Sequence, residues 1–372
     1  MTRAPDAGAH PGTAVPQQGP SAIPREVPEA LPEQRSVRPL SLSTVARSLG
    51  AQLNRVTGLL LWAVFIAFFA VRVPSTFLTS ATFNSIAGDQ SVTVILALGL
   101  LVTLAAGQFD LSAAQNLGLC AVIDSELMVH HHLDPVLASL LTLAVGAGIG
   151  LVNGVLVAVV RVNSFIATLG MSSVLLAFTE QLSGNQFVGP VPAAFQKIAS
   201  HSLLGVPIAA VYAMILAALV WYVLEHTPAG RRTYAVGANP DAARLAGVRT
   251  TRYVIASFVV TAVFAALAGI LATAKIGEVA PTLGPGYMLP AFAACFLGAT
   301  QLKLGRFNVW GAVIALYLLA TGVKGLQLIG SQLWVTDLFN GVALIAAVSV
   351  AVLSGKRRPR RAKARAAANA AS

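Results

Sequence analysis

The sequence predicts an all-α membrane protein of about ten transmembrane helices, with two inverted four-helix groups and both termini cytoplasmic. Three observations predict it. The chain is 56% hydrophobic and only 10% charged, with a mean hydropathy of +0.74, outside the range of a soluble domain. Its apolar residues come in runs of bilayer length, approximately 57–73, 86–106, 112–131, 136–159, 163–183, 206–224, 253–274, 288–300, 308–329 and 334–354. Finally, an even number of spans with a cytoplasmic N-terminus leaves only Arg72, Lys197, Lys275 and Lys324 of the 25 lysines and arginines outside. Moving the count by one span would strand the five arginines of the central loop on the wrong side.

The same facts exclude other classes. The net charge of +11 sits in tails and short loops, where topology accounts for it, so nucleic acid is not an expected partner. Cys120 and Cys295 fall inside apolar spans and imply no disulfide framework. The first 50 residues are polar and contain no apolar core before a cleavage site, so no signal peptide is expected.

Residues 1–40 hold eight of the 19 prolines and few large apolar residues, and are expected to be a disordered cytoplasmic tail. In 41–56, Val45, Leu49, Leu53 and Val56 recur at helical spacing around Arg47 and Arg55. This fits a helix lying on the membrane surface and equally a basic extension of the first span. The membrane region covers 57–354, and 355–372 is expected to be a basic cytoplasmic tail. Gly146, Gly150 and Gly154 on the fourth span, and Ala262, Ala265 and Gly269 on the seventh, form stripes that allow close backbone approach. The eighth span is short and contains Pro290, so a broken or tilted helix is expected there. Spans two to five and seven to ten are separated by an odd number of crossings, which makes the two groups inverted.

The longest polar interruption is the loop 225–252, with Thr227–Tyr253 reading TPAGRRTYAVGANPDAARLAGVRTTRY. Asn239 suits a helix N-cap, Pro240 the first helical position, Asp241 the positive end of the dipole, and Gly247 the C-terminal stop. So short a helix is marginal without tertiary support, so Ala242, Ala243, Leu245 and Ala246 are expected to pack against this protein or a partner.

Several polar residues invite chemistry within the spans. Asp110 and Ser112 fit a solvated cap for the third span or a gating element. Gln115 and Asn116 fit the lining of a polar path or hydrogen bonds between helices. Asp124, Glu126 and Glu180 are further acids in or near spans. The triplet His130, His131 and His132 is poorly arranged to converge on one ion, and no metal site is expected.

Four stretches, read together, resemble the permease subunits of bacterial ABC importers for sugars, the ribose-type family related to branched-chain amino acid permeases. They are GQFDLS at 107–112, VNGVLVAVVRVNSFIATLGM at 152–171, GRRTYAVGANPDAARLAGV at 230–248 and LGATQLKLGRFNVWGAV at 297–313. The chain departs from the family where paired glycines are usual, having Gln108 after Gly107, Ala299 after Gly298 and Leu304 before Gly305. The resemblance implies a multi-pass protein of the bacterial plasma (inner) membrane that pairs with a second permease copy. It also implies an ATP-binding subunit and an extracytoplasmic solute-binding protein as partners. It places the ATPase-coupling helix on Asn239, Pro240, Asp241, Ala242, Ala243, Arg244, Leu245 and Gly247. The path or its gate falls on Asp110, Ser112, Gln115, Asn116, Phe165 and Thr168. The chain has no GxxxxGK[ST] loop, so it is expected to be no enzyme and to bind no cofactor, with ATP and Mg on the partner subunit. Other readings are an ABC permease for an amino acid, nucleoside or signalling furanose, a secondary carrier driven by an ion gradient, and a non-transporting scaffold.

Overall fold

The computed structural model describes residues 58–303, 305–332 and 334–349. Both predicted tails, the surface helix at 41–56 and the end of the last span lie outside these residues. The chain runs through α1 (Gly58–Arg72), α2 (Pro74–Phe77), α3 (Ser80–Ala105), α4 (Ala113–Val129), α5 (Pro135–Ala158), α6 (Ser164–Ser183) and α7 (Ala193–Ser200). A two-stranded hairpin follows, β1 (Ser202–Leu203) with β2 (Val206–Pro207). The remaining elements are α8 (Ile208–His226), α9 (Pro228–Ala238), α10 (Pro240–Leu245), α11 (Thr250–Ile276), a 3-10 turn (Gly284–Tyr287), α12 (Met288–Ala299), α13 (Val309–Leu328) and α14 (Trp334–Ser349).

Six of these, α3, α5, α6, α8, α11 and α13, are long and apolar enough to cross a membrane. Each predicted span corresponds to a helix; α4, with 17 residues, is shorter than its apolar run of 112–131, and α12 is as short as its run of 288–300 implied. A 12-residue α12 is about 18 Å long, against a hydrocarbon core of about 30 Å. The chain before it compensates by entering the bundle, so that the Gly284 backbone lies against Ala114 and Gln115 of α4. Irregular backbone at this depth is tolerated because it is buried in protein.

The long helices α3 and α11 form the centre. Leu96, Leu100 and Leu101 of α3 and Ala265 and Ala268 of α11 are buried in one core cluster. The Thr261 hydroxyl on α11 donates to the Gly99 carbonyl of α3 at 2.8 Å. Against this pair, α5 sets its glycine stripe onto α11. A methyl group added at Gly150 would lie 2.6 Å from the Ala262 Cβ, so only glycine permits this spacing. α4 also packs on α11, and α12 on α3. Several short elements escaped the sequence reading, among them α9, inside what reads as one polar loop, and α7 with its hairpin, inside the outer loop.

Candidate functional site

The polar loop folds as two helices joined by a single residue. α9 starts where Thr227 Oγ1 accepts from the Gly230 amide at 3.4 Å and Pro228 takes the first helical position. It ends at Asn239, whose extended backbone (φ −159°) stops the helix. The same Asn239 starts α10, its Oδ1 accepting from the Ala242 amide at 3.0 Å, with Pro240 and Asp241 in the first turn. Gly247, at φ +80°, closes it, and the Val248 amide returns to the Ala243 carbonyl at 3.0 Å.

Only one of the expected packing residues is buried. Ala243 joins Val236, Val254 and Phe258 in a small cluster under the helix. Ala242 and Ala246 are exposed, and Leu245 is 91% exposed. Arg244 and Asp241 lie 3.9 Å apart with side chains 62% and 88% exposed, a contact that solvent screens. α10 therefore presents Leu245 and Arg244 outward from a single alanine anchor.

α9 is fastened to the bundle on two sides. Gly237 rests on the carbonyl of Ala105 and on Gly107, at the end of α3, where no side chain would fit. On the other side, Tyr234 donates its hydroxyl to the Phe307 carbonyl at 2.6 Å, and the Arg306 guanidinium lies 3.7 Å from the ring centroid. Burial pushes the Tyr234 phenol up to about 12. Arg306 also approaches Glu225 at 3.6 Å, and Lys303 pairs with the same carboxylate at 2.5 Å. The end of α8, α9 and the α12–α13 loop are thereby tied together.

The second cluster surrounds the turn 107–112. Asp110 Oδ1 accepts from the Ser112 amide at 3.0 Å and its hydroxyl at 2.6 Å, and Asn153 Nδ2 of α5 donates to Ser112 Oγ at 2.8 Å. From α6, Thr168 Oγ1 accepts the Leu111 amide at 3.0 Å and Ser164 Oγ accepts the Phe109 amide at 3.3 Å. Asp110, Ser112 and Thr168 are thus brought together, and Asn153 and Ser164, which sequence reasoning missed, complete the group. Asp110 is only 1% exposed, which corrects the expectation of a solvated cap: the cap exists, but side chains from α5 and α6 enclose it. The missed residues lie inside VNGVLVAVVRVNSFIATLGM, where Asn153 and Ser164 are polar residues within otherwise apolar sequence.

The other path candidates lie apart from this group. Asn116 donates to the Ala262 carbonyl at 3.2 Å and Gln115 reaches Thr179 at 3.5 Å, each fully buried between helices of this chain. Phe165 is half exposed on α6. Asp124 is buried on α4 and accepts from Ser139 at 3.2 Å, while Glu126 pairs with His130 at 2.6 Å.

Residues 82–348 match the family described as the branched-chain amino acid transport system / permease component. The chain belongs to this permease family. Relatives of the same kind extend over most of both chains. The ribose import permease protein RbsC of Escherichia coli (strain K12) is 33% identical over 294 residues, covering 77% of this chain and 90% of its own. The autoinducer 2 import system permease protein LsrC of Salmonella choleraesuis (strain SC-B67) is 31% identical over 307 residues, covering 82% and 87%. The D-allose transport system permease protein AlsC of Escherichia coli (strain K12) is 28% identical over 295 residues, covering 79% and 90%. No solved structure matches the chain. As a member of this permease family, the chain is a multi-pass membrane transport component, and both polar clusters fall within the matched region.

Proposed function

We propose that this chain is the membrane permease subunit of an ATP-binding cassette importer for a sugar or related small polar solute, in a bacterial inner membrane. The observation that carries the proposal is α10, a six-residue helix in the central polar loop that holds Leu245 91% exposed beside Arg244. An exposed leucine costs the isolated chain nothing to bury against a partner and gives an interface an apolar anchor. In this reading α10 docks on an ATP-binding subunit, which holds ATP and Mg, and an extracytoplasmic solute-binding protein delivers cargo to two permease copies. The cargo class follows from relatives named for ribose, D-allose and autoinducer 2.

The chain would carry ten membrane helices with both termini cytoplasmic. The inverted relationship of α3–α6 to α11–α14 draws support from the swapped pairing of α4 on α11 and α12 on α3, and from left-handed glycines, Gly107 and Gly277, just beyond the ends of α3 and α11. ATP binding by the partner would shift α10, and α9 would pass that shift to the Asp110 turn at the inner end of the path. The energy would come from the different affinity of nucleotide for the two states.

Uptake of labelled pentoses and hexoses into cells with and without the intact gene tests the proposal. Uptake should survive collapse of the ion gradients while cellular ATP is maintained, and should cease when ATP is depleted. Loss of uptake with the gradient alone would overturn it in favour of a secondary carrier.

A further inference from the structure

Arg161 sits in the turn between α5 and α6 with a left-handed backbone, φ +68°. Helices commonly end in this conformation, but the residue there is ordinarily glycine or asparagine, because other side chains crowd the backbone. α5 closes around it in the usual way, with the Val160 amide returning to the Val155 carbonyl at 3.1 Å and the Val162 amide to Leu156 at 3.0 Å. The arginine is not repaid by contacts inside the molecule. Its side chain is exposed, and it makes no ion pair among the described residues.

Its position decides what the side chain can reach. Arg161, Gln108, Asp241 and Arg244 line one polar cleft of 550 Å³ between the α5–α6 turn and α10. Asp241 is the only acid on that wall. Arg231, Arg232, Arg249 and Arg252 are exposed at the same end, and the nearby Glu225 is already engaged by Lys303 and Arg306. The surface around α10 is therefore basic, with a notch whose far edge is Arg161.

We infer that Arg161 is a second docking point for the ATP-binding subunit, its guanidinium meeting an acidic patch beside the groove that receives α10. This rests on the permease reading above and adds to it a residue and the chemistry of the partner's surface. Guanidinium suits this task because it stays charged and pairs with a carboxylate through two parallel bonds. The contact also has a route inward. Two residues on, Asn163 Oδ1 accepts the Phe165 amide at 3.0 Å at the start of α6, and Ser164 and Thr168 of that helix hold the backbone of Phe109 and Leu111. A load on Arg161 reaches the buried Asp110 turn from the α6 side, whereas α10 reaches it through α9.

The backbone conformation makes the test clean, because the variants that remove the charge also relax the turn. The full-length chain is captured from its native membranes across a series of salt concentrations, as wild type, R161K, R161N and R161G. The ATP-binding subunit is identified among the captured proteins by a peptide carrying its phosphate loop. R161N and R161G should accumulate to at least the wild-type level yet retain about tenfold less of that subunit, and the remainder should depend less steeply on salt. R161K, which keeps the charge and loses the paired bonds, should retain an amount between wild type and R161N. Wild-type retention and salt dependence in R161G and R161N would overturn the inference while leaving the permease reading intact. Failure of the wild type to recover any ATP-binding subunit, even after crosslinking, would overturn the reading itself.

Discussion

Gly237 of α9 lies directly on the carbonyl oxygen of Ala105, the last residue of α3. The α9–α10 pair is therefore seated against the end of a central apolar helix with no side chain between them. Gly237→Ala should force the two apart, costing about 1–3 kcal/mol as overpacking does. A lower melting temperature in detergent, together with reduced uptake, is the expected result.

Leu245→Ser should behave in the opposite way. With its side chain 91% exposed, its loss should leave the stability of the isolated chain within about 0.5 kcal/mol of wild type. Solute uptake should nevertheless fall by roughly tenfold or more, the signature of a lost interface anchor. Equal uptake in the variant would remove α10 from the docking surface.

Tyr234→Phe removes the donor to the Phe307 carbonyl and keeps the ring beneath Arg306. The carbonyl left unpartnered should cost about 1–2 kcal/mol, read as a shift in the thermal unfolding midpoint. Tyr234→Ala should cost more, since the cation–π contact goes as well.

At the buried turn, Asp110→Asn retains an oxygen able to accept from both the Ser112 amide and hydroxyl. Asp110→Ala leaves both donors without their partner in a closed environment. The alanine variant should be destabilised by about 1–3 kcal/mol and the asparagine variant by clearly less. Thermal unfolding of the two purified proteins distinguishes them; equal loss would mean the negative charge, not the hydrogen-bond pattern, is what the turn requires.

Much of this was legible in the sequence because bilayer-length apolar runs and helix caps are local signals. Asn239, Pro240 and Gly247 carry the start and stop of α10 in their own chemistry, and the helix forms between them. The small-residue stripe of α5 announced a close backbone contact in the same manner, though not that α11 would be its partner. What escaped depends on residues distant in sequence. Nothing near Asp110 indicates that Asn153 and Ser164 will help enclose it, since those side chains arrive from two later helices. Nor does the amphipathic spacing of 228–238 stand out, because α9 is anchored by one glycine contact and by a tyrosine bonded to a loop 73 residues away. The distinction between Ala243 and Leu245, neighbours that both look apolar, is likewise set only once α11 supplies Val254 and Phe258.

The junction between α9 and α10 is a single residue, Asn239, whose side chain is bound to the Ala242 amide and whose successor is a proline. Proline fixes one torsion and the side-chain bond restrains the others, so the joint has almost no compliance. Under the docking proposed above, a push received at Leu245 would pass to Ala105 with little of it absorbed in bending. A glycine-rich insertion after Ala238 would add slack there while leaving both contact surfaces intact, and would be expected to uncouple binding from movement.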